Sequence, residues 1–434
     1  MRSAIRRIGS YFGNQKLWKF TRLVAITGSA QILVQGIGLI SGILIIRFLP
    51  TKEYAFYTLA NTMLGTMTIL ADGGISTGVM ALGGKVWEDK QKLGAVITTG
   101  LDLRRKFAVF SLLVSLPILF YLLRHHGASL LFSLLIILSL IPAFYAALSD
   151  SILEIAPKLH QDIPRLQKNQ IAAGVGRFFM ITVSLFFFPW TFIAILGNGL
   201  PRIWANLQLK KISADYVDCI QKVDPNIKKE ILSVVKRVLP GSIYYCLSGQ
   251  ITIWLISIFG STNNIAQAGA LSRLSMFLGV LTILFGTLVL PRFARLSNEP
   301  KLIFKRFVQI LLALLLISCC VTGLVWIFPT ETLWILGKAY SNLKIEVVLT
   351  IIVGCVNLMM GICFGLTTSR GWVVNPIVSI SINVLAIIIG VMIFNVSTLK
   401  GVLLLNIFIG VVDLTMYLTY TFYRIWSLKI SSIV

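Results

Sequence analysis

Long apolar stretches recur along the chain from Arg22 to the C-terminus, separated by polar or basic segments. Each is close to the ~20 residues a helix needs to cross the hydrocarbon core of a bilayer. The pattern predicts twelve such helices, at roughly 22–46, 54–83, 96–123, 127–149, 169–188, 191–209, 238–259, 263–290, 305–328, 346–369, 373–394 and 401–423. Ahead of them, Ile5, Ile8 and Phe12 lie among Arg2, Arg6, Arg7 and Lys16, the pattern of a short helix on a membrane surface. The expected fold is an all-α polytopic membrane protein.

The basic residues collect in every second gap. Thirty Lys and Arg fall in one set of gaps and the termini, against six in the other set (Arg47, Lys52, Arg124, Lys338, Lys344 and Lys400). Lys/Arg-rich loops stay on the cytoplasmic side, so both termini are expected in the cytoplasm. The longest basic connection divides the spans six and six. This gives an amphipathic N-terminus (1–21), an N-terminal six-helix bundle (22–209), a linker (210–237) and a C-terminal bundle (238–434). Asp224 and Pro225 suit a helix cap and first turn, and Pro240-Gly241 suits a bend near the start of the seventh span. The halves echo one another at a shift of 211, which sets the Phe48–Ala55 segment on Phe259–Ala266. Two even-numbered halves share one orientation, so they are expected to be related by a pseudo-twofold along the membrane normal, with a pathway between them.

Composition narrows the function. The chain has 434 residues, of which 56% are hydrophobic and 13% charged, leaving no room for a sizeable soluble domain. Its net charge of +23 reports loop topology and attraction to anionic lipid, and no basic loop interleaved with aromatics suggests nucleic acid. The six cysteines lack metal or disulfide spacing. His125-His126 has no acidic or cysteine companion, so no metal, cofactor or catalytic group is expected. There is no G-x-x-x-x-G-K-[ST] segment, so transport would draw on an ion gradient, the membrane potential or the substrate's own gradient.

The segment Arg47-Phe48-Leu49-Pro50-Thr51-Lys52-Glu53-Tyr54-Ala55-Phe56-Tyr57 resembles the R-x-L-x-x-x-E-Y-G-x-Y segment of polysaccharide-repeat flippases. These are the O-antigen and teichoic-acid type exporters of the multidrug/oligosaccharidyl-lipid/polysaccharide superfamily. Gly260 to Arg273, with the span ending Leu290-Pro291-Arg292, is similar to the matching segment of that family's second half. Ala55 stands where the family usually has Gly. The seventh span, around Thr252 to Leu255, lacks the acidic residue many members carry, so no ion-coupling role passes to it. The resemblance covers nearly the whole chain. It implies two six-helix bundles around a central cavity, in a bacterial cytoplasmic (inner) membrane. The implied activity moves an undecaprenyl-diphosphate-linked oligosaccharide between leaflets, with a polysaccharide polymerase and glycosyltransferases as partners beside the membrane lipids. A multidrug exporter of the same superfamily and a membrane-embedded glycosyl- or acyltransferase are the other readings.

Charges inside spans need a reason, since each costs about 2.5–3.5 kcal/mol at the bilayer centre on insertion scales. Arg273 is read either as a cavity cation for a diphosphate or acidic sugar or as half of an internal ion pair. Arg177 and Arg202, on consecutive spans, are expected to share a cationic patch or to snorkel. Asp72 and Asp413 either pair with an arginine or bind a coupling H⁺ or Na⁺. Asp150 and Glu154 are read as solvated. Gly38 and Gly42 form a small-xxx-small pair for helix packing or, with Pro240 and Gly241, bendable gate elements. Gln250, Asn357, Asn383 and Asn406 are further buried polar candidates.

Overall fold

The computed structural model describes residues 29–431 apart from 31, 219, 295, 298, 371 and 373. The expected surface helix at 1–21 and the start of the first span lie outside the described residues.

The apolar runs fold into α1 (Ile32–Phe48), α2 (Thr51–Asp72), α3 (Ile75–Val86), α4 (Lys90–His125), α5 (Leu130–Leu153), α6 (Ile155–Leu159), α7 (Ile163–Phe187) and α8 (Thr191–Ala214) in the first half. The second half holds α9 (Pro225–Phe259), α10 (Thr262–Leu274), α11 (Met276–Leu288), α12 (Leu290–Ala294), α13 (Pro300–Ile327), α14 (Pro329–Trp334), α15 (Lys344–Ser369), α16 (Pro376–Ile393) and α17 (Leu399–Ser431). No strand occurs among the described residues. Twelve spans in two bundles result, with α2 and α3, α5 and α6, and α10 to α12 each serving as one interrupted span. This is a multi-pass membrane protein: its outer surface is apolar, with Leu113, Phe186, Leu316 and Met392 all exposed, which only a lipid surround tolerates.

Local chemistry sets the helix ends. Asp89 accepts hydrogen bonds from the Gln91 and Lys92 amides, Ser129 from Phe132, Asp224 from Asn226, and Ser261 from Asn264. These satisfy first-turn donors that have no intrahelical partner. Pro225, Pro300 and Pro376 occupy first turns, where a missing N–H costs nothing. α2 begins at Thr51 and α10 at Thr262, the offset at which the halves align in sequence. These two second spans pack on each other so closely that a Cβ at Gly269 would fall 2.3 Å from Thr58 Oγ1.

The helices have a basic end, where the Lys- and Arg-rich connections lie, and a charge-poor end. The 210–237 connection is mostly ordered at the basic end. Ile231 and Val235 of α9 join Ile75, Val79, Leu93 and Ile97 in a buried cluster of the first half. α9 then bends by 43° between Tyr244 and Ser248, one turn past Pro240-Gly241. The span formed by α2 and α3 breaks at Gly73 and Gly74, with φ of +49° and +94°. Glycine is needed there twice over: for the left-handed backbone, and because a Cβ on Gly74 would meet Val238 at 2.8 Å.

Candidate functional site

A cavity of about 750 Å³, lined mainly by the first half and by Ser242 of α9, reaches the basic end. Its walls carry Asp72, Arg104, Asp150, Glu154, Arg177 and Arg202, with Asn61, Asn169, Gln170 and Asn198 between them. A second compartment of about 490 Å³ lies between the halves, lined by Tyr54, Thr58, Gln250, Arg273, Asn357 and Asn406. Asn61 belongs to both walls and marks where they adjoin.

Most charges in the first compartment are paired. Arg104 Nη1 lies 3.2 Å from Asp72 Oδ1, and it also donates to Ser76 Oγ at 3.2 Å and to Ser151 Oγ. Asp72 in turn caps α3, accepting from the Ser76 amide at 3.3 Å and its hydroxyl at 2.5 Å. Asp72 thus has an arginine partner in this structure. Its partner is a residue that the sequence had placed in a basic loop: α4 begins at Lys90, so Arg104 is four turns into the helix and 4% exposed. Arg202 Nε lies 2.9 Å from Asp150 Oδ2, and Asn206 donates to Asp150 Oδ1 at 2.6 Å. The expectation that Asp150 and Glu154 are solvated is corrected. Both line the cavity, but Asp150 is held by Arg202 and Asn206 of α8, and Glu154 pairs with Lys158 at 2.6 Å.

Arg177 and Arg273 differ. Neither has a carboxylate within 4 Å among the described residues. Arg177 lies about 15 Å along α7 from the charge-poor end and Arg273 about 17 Å along α10, both near the middle of a ~30 Å hydrocarbon layer. Arg177 Nε is buried without a hydrogen-bond partner. Arg273 and Arg202 are like charges within electrostatic reach of it, and the Tyr57 hydroxyl is a favourable dipole. Arg273 lines the second compartment together with Tyr54, and its Nη1 lies 3.8 Å from Met276 Sδ. It sits in the last turn of α10, just before the interruption at Ser275.

The first helix seats both cations. A Cβ on Gly42 would stand 3.3 Å from Arg273 Cδ and 3.5 Å from its Nε, and one on Gly38 would stand 3.5 Å from Arg177 Nη2. By contrast, a Cβ on Gly36 or Gly241 would meet nothing within 4 Å.

In the second half, Asp413 accepts a hydrogen bond from Asn383 Nδ2 at 2.5 Å and has no ion pair among the described residues. Asn383 is buried, and its Oδ1 has no partner. Asn406 donates to Thr252 Oγ1 at 2.7 Å on the wall of the second compartment. No cluster of three or more His, Cys, Asp or Glu suited to a metal occurs among the described residues.

No protein-family model matches the sequence, and no curated protein does. Solved structures do match in fold. A multidrug resistance MATE family transporter of the MOP superfamily, in its inward-facing conformation, superposes with a TM-score of 0.71 at 15% identity, over 94% of this chain and 99% of that one. The chain folds as these transporters do. The outward-facing conformation of a transporter of that family gives 0.63 at 15% identity, over 94% and 96% of the two chains. A MOP superfamily transporter from Pyrococcus furiosus, described as having a binding pocket of reverse polarity that suggests a different function, gives 0.59 at 14% identity over 94% and 96%.

Proposed function

We propose that this protein is an alternating-access transporter that moves an undecaprenyl-diphosphate-linked oligosaccharide across a bacterial cytoplasmic membrane, with both termini in the cytoplasm. One observation carries the reading. Pairing cancels Arg104 against Asp72, Arg202 against Asp150 and Glu154 against Lys158, and what remains on the two cavity walls is the pair of arginines without carboxylates, Arg177 and Arg273. Two like charges at mid-membrane are costly, and an anionic ligand that bridges them relieves both desolvation and mutual repulsion. A diphosphate fits that demand. α7 supports an amphipathic substrate: Arg177 and Gln170 face the polar cavity, while Ile171, Val175 and Phe179 line an apolar groove of about 1240 Å³. The sugars would cross within the compartments while the lipid tail stays in the bilayer.

Asp413 with Asn383 is the proposed site of a coupling H⁺ or Na⁺, because a half-buried carboxylate without an ion pair among the described residues stands there on the Asn383 amide. A multidrug exporter is the second reading, favoured by the multidrug neighbours in fold. The uncompensated positive charge disfavours cationic drugs. The test in cells is Arg273→Ala. Loss of surface polysaccharide at normal protein abundance supports the first reading. Normal polysaccharide with altered drug susceptibility supports the second.

A further inference from the structure

At the charge-poor end the two halves are held by polar contacts that no apolar packing requires. His126, at the C-terminus of α4, reaches across to the second half. Its Nε2 lies 2.9 Å from the Ser257 carbonyl oxygen of α9, and its Nδ1 lies 3.1 Å from Thr262 Oγ1 of α10. Nearby, Arg47 at the end of α1 donates to the Trp334 carbonyl at 2.7 Å and the Ile335 carbonyl at 3.0 Å, and its guanidinium lies 5.1 Å from the Trp334 ring centroid. It thereby ties the C-terminus of α14 and its cap residue to the end of α1. Both contacts join residues before 130 to residues after 255, at the end opposite the one the polar cavity reaches.

The histidine contact fixes a tautomer. A carbonyl oxygen only accepts, so Nε2 carries the proton toward Ser257, and neutral Nδ1 accepts from the Thr262 hydroxyl. A second proton on Nδ1 would face that hydroxyl hydrogen and force it to turn away. It would also place a charge in a site 8% exposed. Among the described residues, the surroundings supply no anion paired with it. On its own helix stand Arg124, which donates to the Ala128 carbonyl, and His125, whose ring centroid is 5.1 Å away. From α2, Lys52 donates to the Gly127 carbonyl at 3.2 Å, while Glu53 is turned to Thr191 at 2.6 Å. The facing ends of α9 and α10 present Ser257 and Thr262, which are uncharged. Burial, with His125 adding repulsion, holds the His126 imidazole below the usual histidine range.

We propose that Arg47 and His126 form a two-point clasp across the charge-poor end, and that protonation of His126 releases one point and favours opening at that face. The proposal rests on the alternating-access reading for the movement but not on the identity of the cargo. The sign follows from linkage. The closed state excludes the proton, so closure is unimpaired above the ordinary histidine pKa of about 6.5 and weakens as pH falls below it. Because the closed state excludes one proton, acidification shifts the open-to-closed ratio by at most about tenfold per pH unit.

The test is a spin-label distance measurement on the full chain in lipid vesicles. Labels go on Leu130→Cys and Asn342→Cys, both exposed at the charge-poor end, in a background without native cysteines. The expected result is a longer-distance population that grows on acidification. In His126→Gln, whose amide can still donate to Ser257, that growth is lost while the short distance persists. In Arg47→Ala, the longer population is raised at both pH values and still responds to acid. A pH-independent wild type, or an undiminished response in His126→Gln, overturns the clasp. Thermal unfolding of each variant in detergent confirms that it is folded. Acid-driven opening in a protein that moves no lipid-linked sugar would leave the clasp standing and remove the cargo assignment.

Discussion

Gly42 and Arg273 touch across the two halves: the Arg273 side chain fills the space that a Gly42 Cβ would contest, with Cδ 3.3 Å from that position. A small-residue stripe on the first helix thus serves as a berth for a mid-membrane cation. Gly38 does the same for Arg177 at 3.5 Å. The close approach leaves Arg273 on the wall of the compartment between the halves, beside Tyr54.

Gly42→Ala is therefore predicted to impair transport without loss of protein. The added methyl must push a flexible side chain by a few tenths of an ångström, an overpacking cost at the low end of the ~1–3 kcal/mol range, or roughly five- to tenfold in substrate affinity. Gly36→Ala, where nothing lies within 4 Å, is the matched control and should be neutral. Equal effects of the two substitutions on lipid-linked sugar binding would show that α1 needs glycine for bending, not for seating Arg273.

The Arg104–Asp72 pair predicts a stability effect. Arg104→Leu leaves Asp72 charged beside a buried apolar group, and breaking a buried pair from one side costs about 3 kcal/mol or more. Asp72 is 27% exposed on its side chain, so water recovers part of that. Arg104→Leu combined with Asp72→Asn should regain most of the lost thermal stability in detergent, because no lone charge remains. If the double variant is no more stable than Arg104→Leu, the pair is not what holds α4 against the break between α2 and α3.

Asp413→Asn is predicted to uncouple. The amide keeps the shape and a bond to Asn383 but removes the charge that a proton or Na⁺ would neutralise. Transport in vesicles should then lose its dependence on an imposed H⁺ or Na⁺ gradient, while substrate affinity changes less than about threefold, under 1 kcal/mol. A gradient dependence equal to that of the unsubstituted protein would exclude Asp413 from coupling.

Most of the architecture was legible in the sequence because a bilayer makes hydropathy nearly decisive. The starts of α2 at Thr51 and α10 at Thr262 follow from the repeat, and the cap at Asp224 follows from side-chain chemistry. What escaped was helix phase and partner choice. Arg104, Arg105 and Lys106 are alike as a basic run, yet only Arg104 faces inward to Asp72 while its two neighbours are exposed. Asp150 gives no sequence sign that Arg202, 52 residues on, turns toward it. The interruption at Ser275 carries neither proline nor glycine, so nothing local announced it. His126 looked idle because a histidine bonded to a carbonyl and a hydroxyl has no motif, and only the folded chain brings Ser257 and Thr262 to it.

The most direct test of the central claim is leaflet transfer by the purified protein. Vesicles carrying a fluorescent undecaprenyl-diphosphate oligosaccharide would report transfer between leaflets by loss of protection from a membrane-impermeant quencher. The protein is predicted to accelerate transfer, and Arg177→Ala with Arg273→Ala to lower the rate at least about tenfold, roughly 1.4 kcal/mol, at unchanged incorporation into the vesicles. Transfer at the full rate in the doubly substituted protein, or no transfer by the unsubstituted protein together with export of a cationic dye, would contradict a cationic site for a lipid-linked diphosphate.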